Sequence, residues 1–316
     1  MARLSSFSAA AHVMAAALRT SLRDSTVVLL TGMFLAMVLV SAYLGWSATR
    51  TMELIYAAAV VSLKANHQAI PADPLSEQSP LALLRNMSIY VALLGALAAL
   101  IFGNLVISGD RKSGVVPLIA SRPISRASYA FGKLGAITLA ILALTLFAAL
   151  VNAATLMVFP KLNMTAGLWL SLAAFYGVSA LYMMAFGFLG ALCAAYYRSE
   201  SLALLVPVTV WLALTFIIPQ ITANISPMAA LNPLSATAAL PTGSFFAVTS
   251  TVLGPLSLAE AYRSLSSVLL QLSPDNLPHQ SFNSAMATML IATIGLGLAC
   301  VFAIIRFDAS RSDYSD

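Results

Sequence analysis

The chain has 316 residues, of which 60% are hydrophobic and only 9% are charged, and its formal net charge is +5. Soluble domains carry about 25% charged residues, so this composition excludes a soluble enzyme and indicates a helical membrane protein. The positive charges lie between apolar segments, where membrane topology accounts for them better than nucleic-acid binding does.

Residues 1–24 are predicted to form an amphipathic helix at the membrane surface. One helical face collects apolar residues at three- and four-residue steps: Leu4, Phe7, Ala11, Met14, Leu18 and Leu22. Arg19 and Arg23 fall largely outside this face, where they would meet anionic lipid headgroups. The alternative is a solvated leader ahead of the first span.

Six apolar segments are long enough, or nearly so, to cross a membrane as helices of about 20 residues. They are residues 26–46, 89–107, 134–159, 168–195, 202–218 and 285–305. Because no repeat or linker divides the chain, residues 1–316 are predicted to form one all-α polytopic membrane domain. Placing both termini inside puts most Lys and Arg on the inner side, which predicts cytoplasmic termini in an inner or plasma membrane.

Two outer segments have patterns of their own. Met52–Leu63 is apolar after Arg50 and Glu53, and either extends the first helix or rests on the outer leaflet. The outer region, residues 219–284, contains the capping-box pattern Ser257 and Glu260. Apolar residues then step by four and three through Leu258, Tyr262, Leu265, Leu269 and Leu272. We therefore expect one amphipathic helix there, ending before Pro274.

The spans hold no Asp, Glu, Lys, Arg or His in their middles, which argues against an ion-coupled carrier. No phosphate loop, nucleophile-and-base pattern or metal-ligand spacing is present, so we expect no catalytic residue, metal or cofactor on this chain. Asn152, Tyr176 and Tyr182 either line a passage or form hydrogen bonds between helices. Gly187 and Gly190 indicate close helix packing.

The segment Ser108–Lys133 is the one long basic stretch between spans. It carries Arg111, Lys112, Arg122, Arg126 and Lys133 against the single acid Asp110. A short apolar run, Val115–Ala120, lies inside it. Such a run in a charged cytoplasmic loop needs a surface on which to be buried, which predicts a protein partner under the membrane.

This loop resembles that of the permease subunits of type-2 ABC exporters, which have an acidic residue, a basic stretch, S-G, an apolar run, S-x-P-[VI]-S-R and G-K. The matching residues are Asp110, Ser113, Gly114, Val115–Ala120, Ser121, Pro123, Ile124, Ser125, Arg126, Gly132 and Lys133. Trp211–Pro219 and Leu231–Pro233 add to the resemblance. The family includes permeases of multidrug or lipid exporters and of nitrous oxide reductase maturation.

The resemblance implies six spans, an N-terminal interfacial helix and a cytoplasmic coupling helix within residues 108–133. It also implies a separate ABC ATPase that binds ATP and Mg²⁺, and a second permease copy or paralogue. The residues implied in ATPase coupling are Asp110, Arg111, Ser113, Gly114, Val115, Val116, Pro117, Leu118, Ile119, Pro123, Ser125 and Arg126. Arg122 and Arg126 have an alternative role as anchors on lipid phosphates.

Three functions stay open at this point. The first is ATP-driven export of a substrate through a permease powered by another chain. The second is transmission of force from the ATPase to an outer-face protein, with little or no transport. The third, an ion-coupled carrier or channel, is disfavoured by the lack of charge at membrane depth.

Overall fold

In a computed structural model of the chain, the structure describes residues 6–70, 79–112, 114, 124–158, 164–223, 244–254, 257–272 and 280–306. All regular secondary structure in this described part is helical, and six of the helices are long and apolar enough to cross a membrane. The predicted all-α polytopic fold is confirmed.

The helices are numbered here in chain order. They are α1 Ser6–Ser21, α2 Ser25–Ala65, α3 Pro80–Lys112, α4 Arg126–Met157, α5 Ala166–Tyr196, α6 Glu200–Thr222, α7 Ser244–Leu253, α8 Leu258–Leu269 and α9 Phe282–Ile305. Several begin after a residue whose side chain accepts a hydrogen bond from a first-turn amide: Asp24, Ser79, Ser125, Thr165, Ser257 and Ser281. The spans are α2, α3, α4, α5, α6 and α9.

Some helix bounds differ from those expected, because hydropathy marks the part of a helix in lipid and not its end. The span predicted at 26–46 continues to Ala65, so Met52–Leu63 extends the first membrane helix. At about 1.5 Å per residue, α2 is roughly 60 Å long, twice the hydrocarbon thickness. The two ends of the basic segment 108–133 are also helical, since α3 continues to Lys112 and α4 begins at Arg126.

Helix α5 occupies the centre of the bundle and packs against α3, α4, α6, α8 and α9. Its contact with α3 depends on glycine: a side chain at Gly103 would clash with the backbone of Gly187, and one at Gly190 would clash with the carbonyl of Leu100. The close packing predicted from Gly187 and Gly190 is therefore confirmed. Phe175, Tyr182 and Phe186 of α5 are among the largest fully buried side chains of the bundle.

The amphipathic helix predicted in the outer region is confirmed as α8, and Ser257 accepts from the Glu260 amide at 3.2 Å. The Glu260 carboxylate does not reach back to complete the capping box, since it accepts from the Thr222 hydroxyl. Burial raises the pKa of the Glu260 carboxyl above its usual range. Tyr262 stacks on Tyr182 at 4.5 Å between ring centroids, so α8 reaches the middle of α5.

A proline in α6 explains a buried polar residue in α3. Pro207 has no amide hydrogen, so the carbonyl of Ala203, four residues earlier, has no partner within the helix. The Asn104 side chain of α3 donates to this carbonyl at 2.7 Å. Asn104 is buried, and the bond connects α3 to α6 where water cannot replace it.

We expect Asn104→Leu to lower the free energy of unfolding by about 1–3 kcal/mol, because it leaves the Ala203 carbonyl without a donor. In a Pro207→Ala background, residue 207 regains an amide that donates to Ala203, so the same change should cost less than about 1 kcal/mol. Denaturation in detergent of the original protein, the two single variants and the double variant measures the cost of Asn104→Leu in each background. Equal costs in the two backgrounds would show that the proline is not the cause.

Candidate functional site

The ends of five helices meet at one end of the bundle, which we call the charged end. They are the C-terminal ends of α3, α5 and α9 and the N-terminal ends of α4 and α6. Helix α1 packs along α4 at the same end. The two helical borders of the basic segment, the N-terminal helix and the end of the last helix therefore share one side of the membrane domain.

At the centre of the charged end, Asp110 of α3 binds two side chains of α4. The Lys133 Nζ lies 2.7 Å from the Asp110 carboxylate, and the Tyr129 hydroxyl donates to the same oxygen at 2.6 Å. Lys133 Nζ also donates to the Val106 carbonyl at 2.8 Å, and the residue is only 4% exposed. These contacts hold together the two helices that flank residues 113–123.

Gly132, the neighbour of Lys133, allows α1 to approach α4 closely. A Cβ atom at Gly132 would lie 2.7 Å from both the Ala10 carbonyl oxygen and the Val13 Cβ. Any larger residue would push α1 away. The two residues of the G-K motif thus have different structural roles, one admitting α1 and the other binding Asp110.

Arg111 caps the C-terminal end of α5. Its guanidinium donates to the Tyr197 carbonyl at 2.8 Å and to the Ala195 carbonyl at 3.1 Å, which are among the carbonyls a helix end leaves without intrahelical partners. The next residue, Lys112, forms an ion pair of 3.0 Å with Glu200 at the start of α6, and both side chains are about half exposed. Helix α3 is therefore connected to both helices of the α5–α6 corner.

The start of α4 is fixed in a similar way. Ser125 caps the helix, accepting from the Ser128 amide at 3.0 Å. Arg126 donates to the Ile305 carbonyl at 3.2 Å, at the end of α9. On the other side of the segment, Gly114 has a φ of +63°, and its amide donates to the Arg111 carbonyl at 3.0 Å. This left-handed conformation favours glycine and closes α3 with a turn.

The remaining residues implied in ATPase coupling lie outside the described residues. They are Ser113, Val115, Val116, Pro117, Leu118, Ile119 and Pro123. The coupling helix thus stays a prediction. The structure gives the positions of its two borders, and Asp110, Arg111, Ser125 and Arg126 at those borders make contacts within this chain.

Two of the three residues considered for a passage contact each other inside the bundle. The Asn152 amide of α4 donates to the Tyr176 hydroxyl of α5 at 2.7 Å, which is the hydrogen bond between helices left open above. The Tyr182 hydroxyl of α5 donates to the Ala92 carbonyl of α3 at 3.4 Å, within a short π-helical turn. All three are buried within one chain, and a role in lining a passage stays a prediction.

Comparison with known protein families identifies the family of this chain. The profile described as ABC-2 family transporter protein matches residues 12–311. The chain belongs to the ABC-2 transporter family. It is thus a permease subunit of an ABC transporter, a type that typically pairs with an ATPase subunit. No curated protein matches the chain significantly.

In this ABC-2 permease, sequence reasoning missed the partners of Asp110. In the sequence Lys133 belongs to the basic segment and to the G-K pair, and Tyr129 belongs to no motif. One signal was present: Tyr129 and Lys133 are four residues apart, so they lie on the same face once Arg126 is taken as the helix start. Asp110 could not be identified as their partner from the sequence, because this requires knowing that α3 and α4 are neighbours.

Proposed function

We propose that this ABC-2 permease couples ATP hydrolysis on a separate ATPase to export of a substrate, with the charged end and both termini in the cytoplasm. The observation that carries the proposal is the buried contact of Asp110 with Lys133 and Tyr129. Because this contact holds α3 and α4 together on both sides of residues 113–123, an ATPase that pushes on the segment would move the two helices as one body.

Contiguous packing supports transmission of that movement across the membrane. Helix α3 lies against α5 backbone to backbone at Gly103 and Gly190, where neither helix can move without the other. Helix α5 then contacts α8 through the stacked rings of Tyr182 and Tyr262. Helix α8 in turn binds Thr222 through Glu260, at the end of α6 opposite the charged end, which we call the far end. Close contacts between helices therefore connect the charged end to the far end.

A second subunit is part of the proposal. The polar side chains considered for a passage, Asn152, Tyr176 and Tyr182, are enclosed within a single chain. A substrate pathway would thus lie between this permease and another copy or a paralogue. The ATPase would act on both subunits, drawing their segments 113–123 together.

Transmission of force to a protein at the far end, as in permeases of the nitrous oxide reductase maturation type, is the second candidate. The contact of α8 with the middle of α5 favours it, because movement of α5 would pass through α8 to Thr222 at the far end. An assay of ATPase activity in liposomes separates the two: candidate cargo stimulates an exporter, whereas only an added far-end protein stimulates a force transmitter.

Docking of the ATPase is tested by Leu118→Asp with Ile119→Asp. If these residues are buried on the ATPase, two carboxylates should reduce its co-purification by at least about tenfold. The control is Met157→Asp with Val158→Asp, an adjacent exposed apolar pair at the far end of α4, which should leave co-purification unchanged. Undiminished co-purification of the Leu118 and Ile119 variant would overturn the docking assignment.

A further inference from the structure

A cavity of about 400 Å³ lies between α1, α2, α3 and α4. Among the described residues that line it, only Ser21 and Thr31 are polar. Leu139 and Phe147 of its wall are more than 40% exposed, so the cavity opens on the outside of the bundle, where lipid would be. Its volume falls within the range of about 300–1,000 Å³ that is typical of small-molecule sites.

The chemistry of the walls determines what can fill this cavity. Water occupies a buried space only where several polar groups bind it, and these walls offer two hydroxyl side chains. An empty apolar space is costly, because its lining loses contacts. Since the opening faces hydrocarbon, an alkyl chain is the occupant that the walls fit.

The length of the cavity matches one leaflet. Its wall on α2 extends from Val27 to Leu35, a rise of about 12 Å at 1.5 Å per residue. One leaflet contributes about 15 Å to a hydrocarbon core of about 30 Å. Val27 lies near the α1–α2 corner, at the membrane surface, and Leu35 lies deeper, so an acyl chain would run from the corner inward.

Positive charge lies at the corner where the headgroup of such a lipid would be. Arg23 follows Leu22 of the cavity wall and is exposed, and Arg19 is exposed one turn earlier on α1. The nearby Asp24 carboxylate already accepts from the Thr26 amide at 2.8 Å, as the cap of α2. The two guanidinium groups would attract a lipid phosphate.

We infer that this cavity is a binding site for an anionic glycerophospholipid of the leaflet at the α1 end. One acyl chain lies between the α1–α2 corner and helices α3 and α4, and the phosphate binds Arg23 and Arg19. The bound lipid fills the space beneath α1 and holds it against α4, beside Gly132. The site requires neither the ATPase nor the transport activity proposed above.

The test uses the purified protein in nanodiscs that contain phosphatidylglycerol with a photoreactive diazirine in its acyl chain. Cross-linked peptides should come from the α2 and α4 walls of the cavity. Ala143→Phe, which fills the cavity from α4, should reduce these adducts by at least about threefold. Ala154→Phe, on an exposed part of α4 outside the cavity, should leave them unchanged.

Three outcomes would overturn the inference. Equal labelling of the two phenylalanine variants would mean that the cavity is not the site. Equally strong labelling of the exposed α9 face at Ile291 and Leu298 would mean only surrounding lipid. Absence of lipid adducts, together with protein–protein cross-links at α2 in a parallel sample treated with a bifunctional cross-linker, would mean that a second subunit fills the cavity.

The headgroup contact is tested by competition between labelled phosphatidylglycerol and phosphatidylcholine. Arg23→Gln should reduce the preference for the anionic lipid by about fivefold, which corresponds to the usual contribution of one basic residue near a charged surface. Arg50→Gln, an exposed arginine elsewhere on α2, should not. An unchanged preference in Arg23→Gln would overturn the assignment of the phosphate to this corner.

Discussion

Asp110→Asn and Lys133→Met are each expected to lower the free energy of unfolding by about 3–5 kcal/mol, because each leaves the other member of a buried ion pair without its partner. Lys133 is buried and Asp110 is largely shielded from solvent, since their side chains are 5% and 17% exposed. Denaturation in detergent measures the loss. The double variant should be more stable than Lys133→Met or Asp110→Asn alone, since it removes both charges together.

The ion pair of Lys112 with Glu200 provides a matched control at the same end of the bundle. Its N–O distance is similar at 3.0 Å, but its side chains are 53% and 47% exposed. Lys112→Met and Glu200→Gln should therefore each change stability by only about 0–1 kcal/mol. If these variants cost as much as those at Asp110 and Lys133, burial would not be the source of the effect. The same conclusion would follow if the Asp110→Asn, Lys133→Met double variant lost as much stability as the two single variants together.

Gly103→Ala and Gly190→Ala are expected to be the most damaging changes that add a single methyl group to the bundle. The added Cβ atoms would clash with carbonyl oxygens of the facing helix, and backbone atoms cannot move aside as a flexible side chain can. Helices α3 and α5 would have to separate, which should cost about 1–3 kcal/mol or more for each change. Melting temperature in detergent and ATPase stimulation in the assembled transporter measure the effect.

The control for the glycine variants lies on α5 itself. Gly177 has no neighbouring atom within 4 Å of the position that a Cβ would occupy. Gly177→Ala should be neutral or stabilise the helix by up to about 1 kcal/mol, because alanine favours a helix more than glycine does. If Gly190→Ala behaves like Gly177→Ala, the two backbones do not meet as closely as described. The proposed transmission from α3 to α5 would then lose its basis.

Predictions from the sequence succeeded where the signal is local. The repeat of apolar residues after Ser257 predicted α8, and Ser257 caps that helix as expected. The side chain of Glu260 shows the limit of such reasoning, because it binds Thr222 of another helix and does not complete the capping box. A cap depends on residues three apart in the chain, whereas the partner of a buried carboxylate depends on which helices are neighbours.

The N-terminal helix shows the same contrast between local sequence signals and contacts that depend on neighbouring helices. Its apolar stripe predicted a surface helix, and Phe7 and Leu22 on that stripe are exposed, at 84% and 70%. The closest contact of α1 with α4 lies beside the stripe, where Ala10 and Val13 meet Gly132, and Met14 of the stripe itself lies against Gly135. The stripe therefore predicted the helix but not which of its residues face lipid and which pack inward, because hydropathy alone does not show where the neighbouring helices lie.

The amino-acid sequence by itself determined that this is a six-span all-α membrane protein of the ABC-2 family, because hydropathy, charge bias and motif order are written along the chain. The tertiary structure decided which polar groups pair: Lys133 with Asp110, Asn104 with the Ala203 carbonyl, and Arg126 with the end of α9. Each of these pairs joins helices that only folding makes neighbours. In a membrane a buried polar group such as Lys133 or Asn104 must find its partner within the protein. The contact of the exposed Arg126 also depends on how the helices pack, because it forms where α4 meets the end of α9.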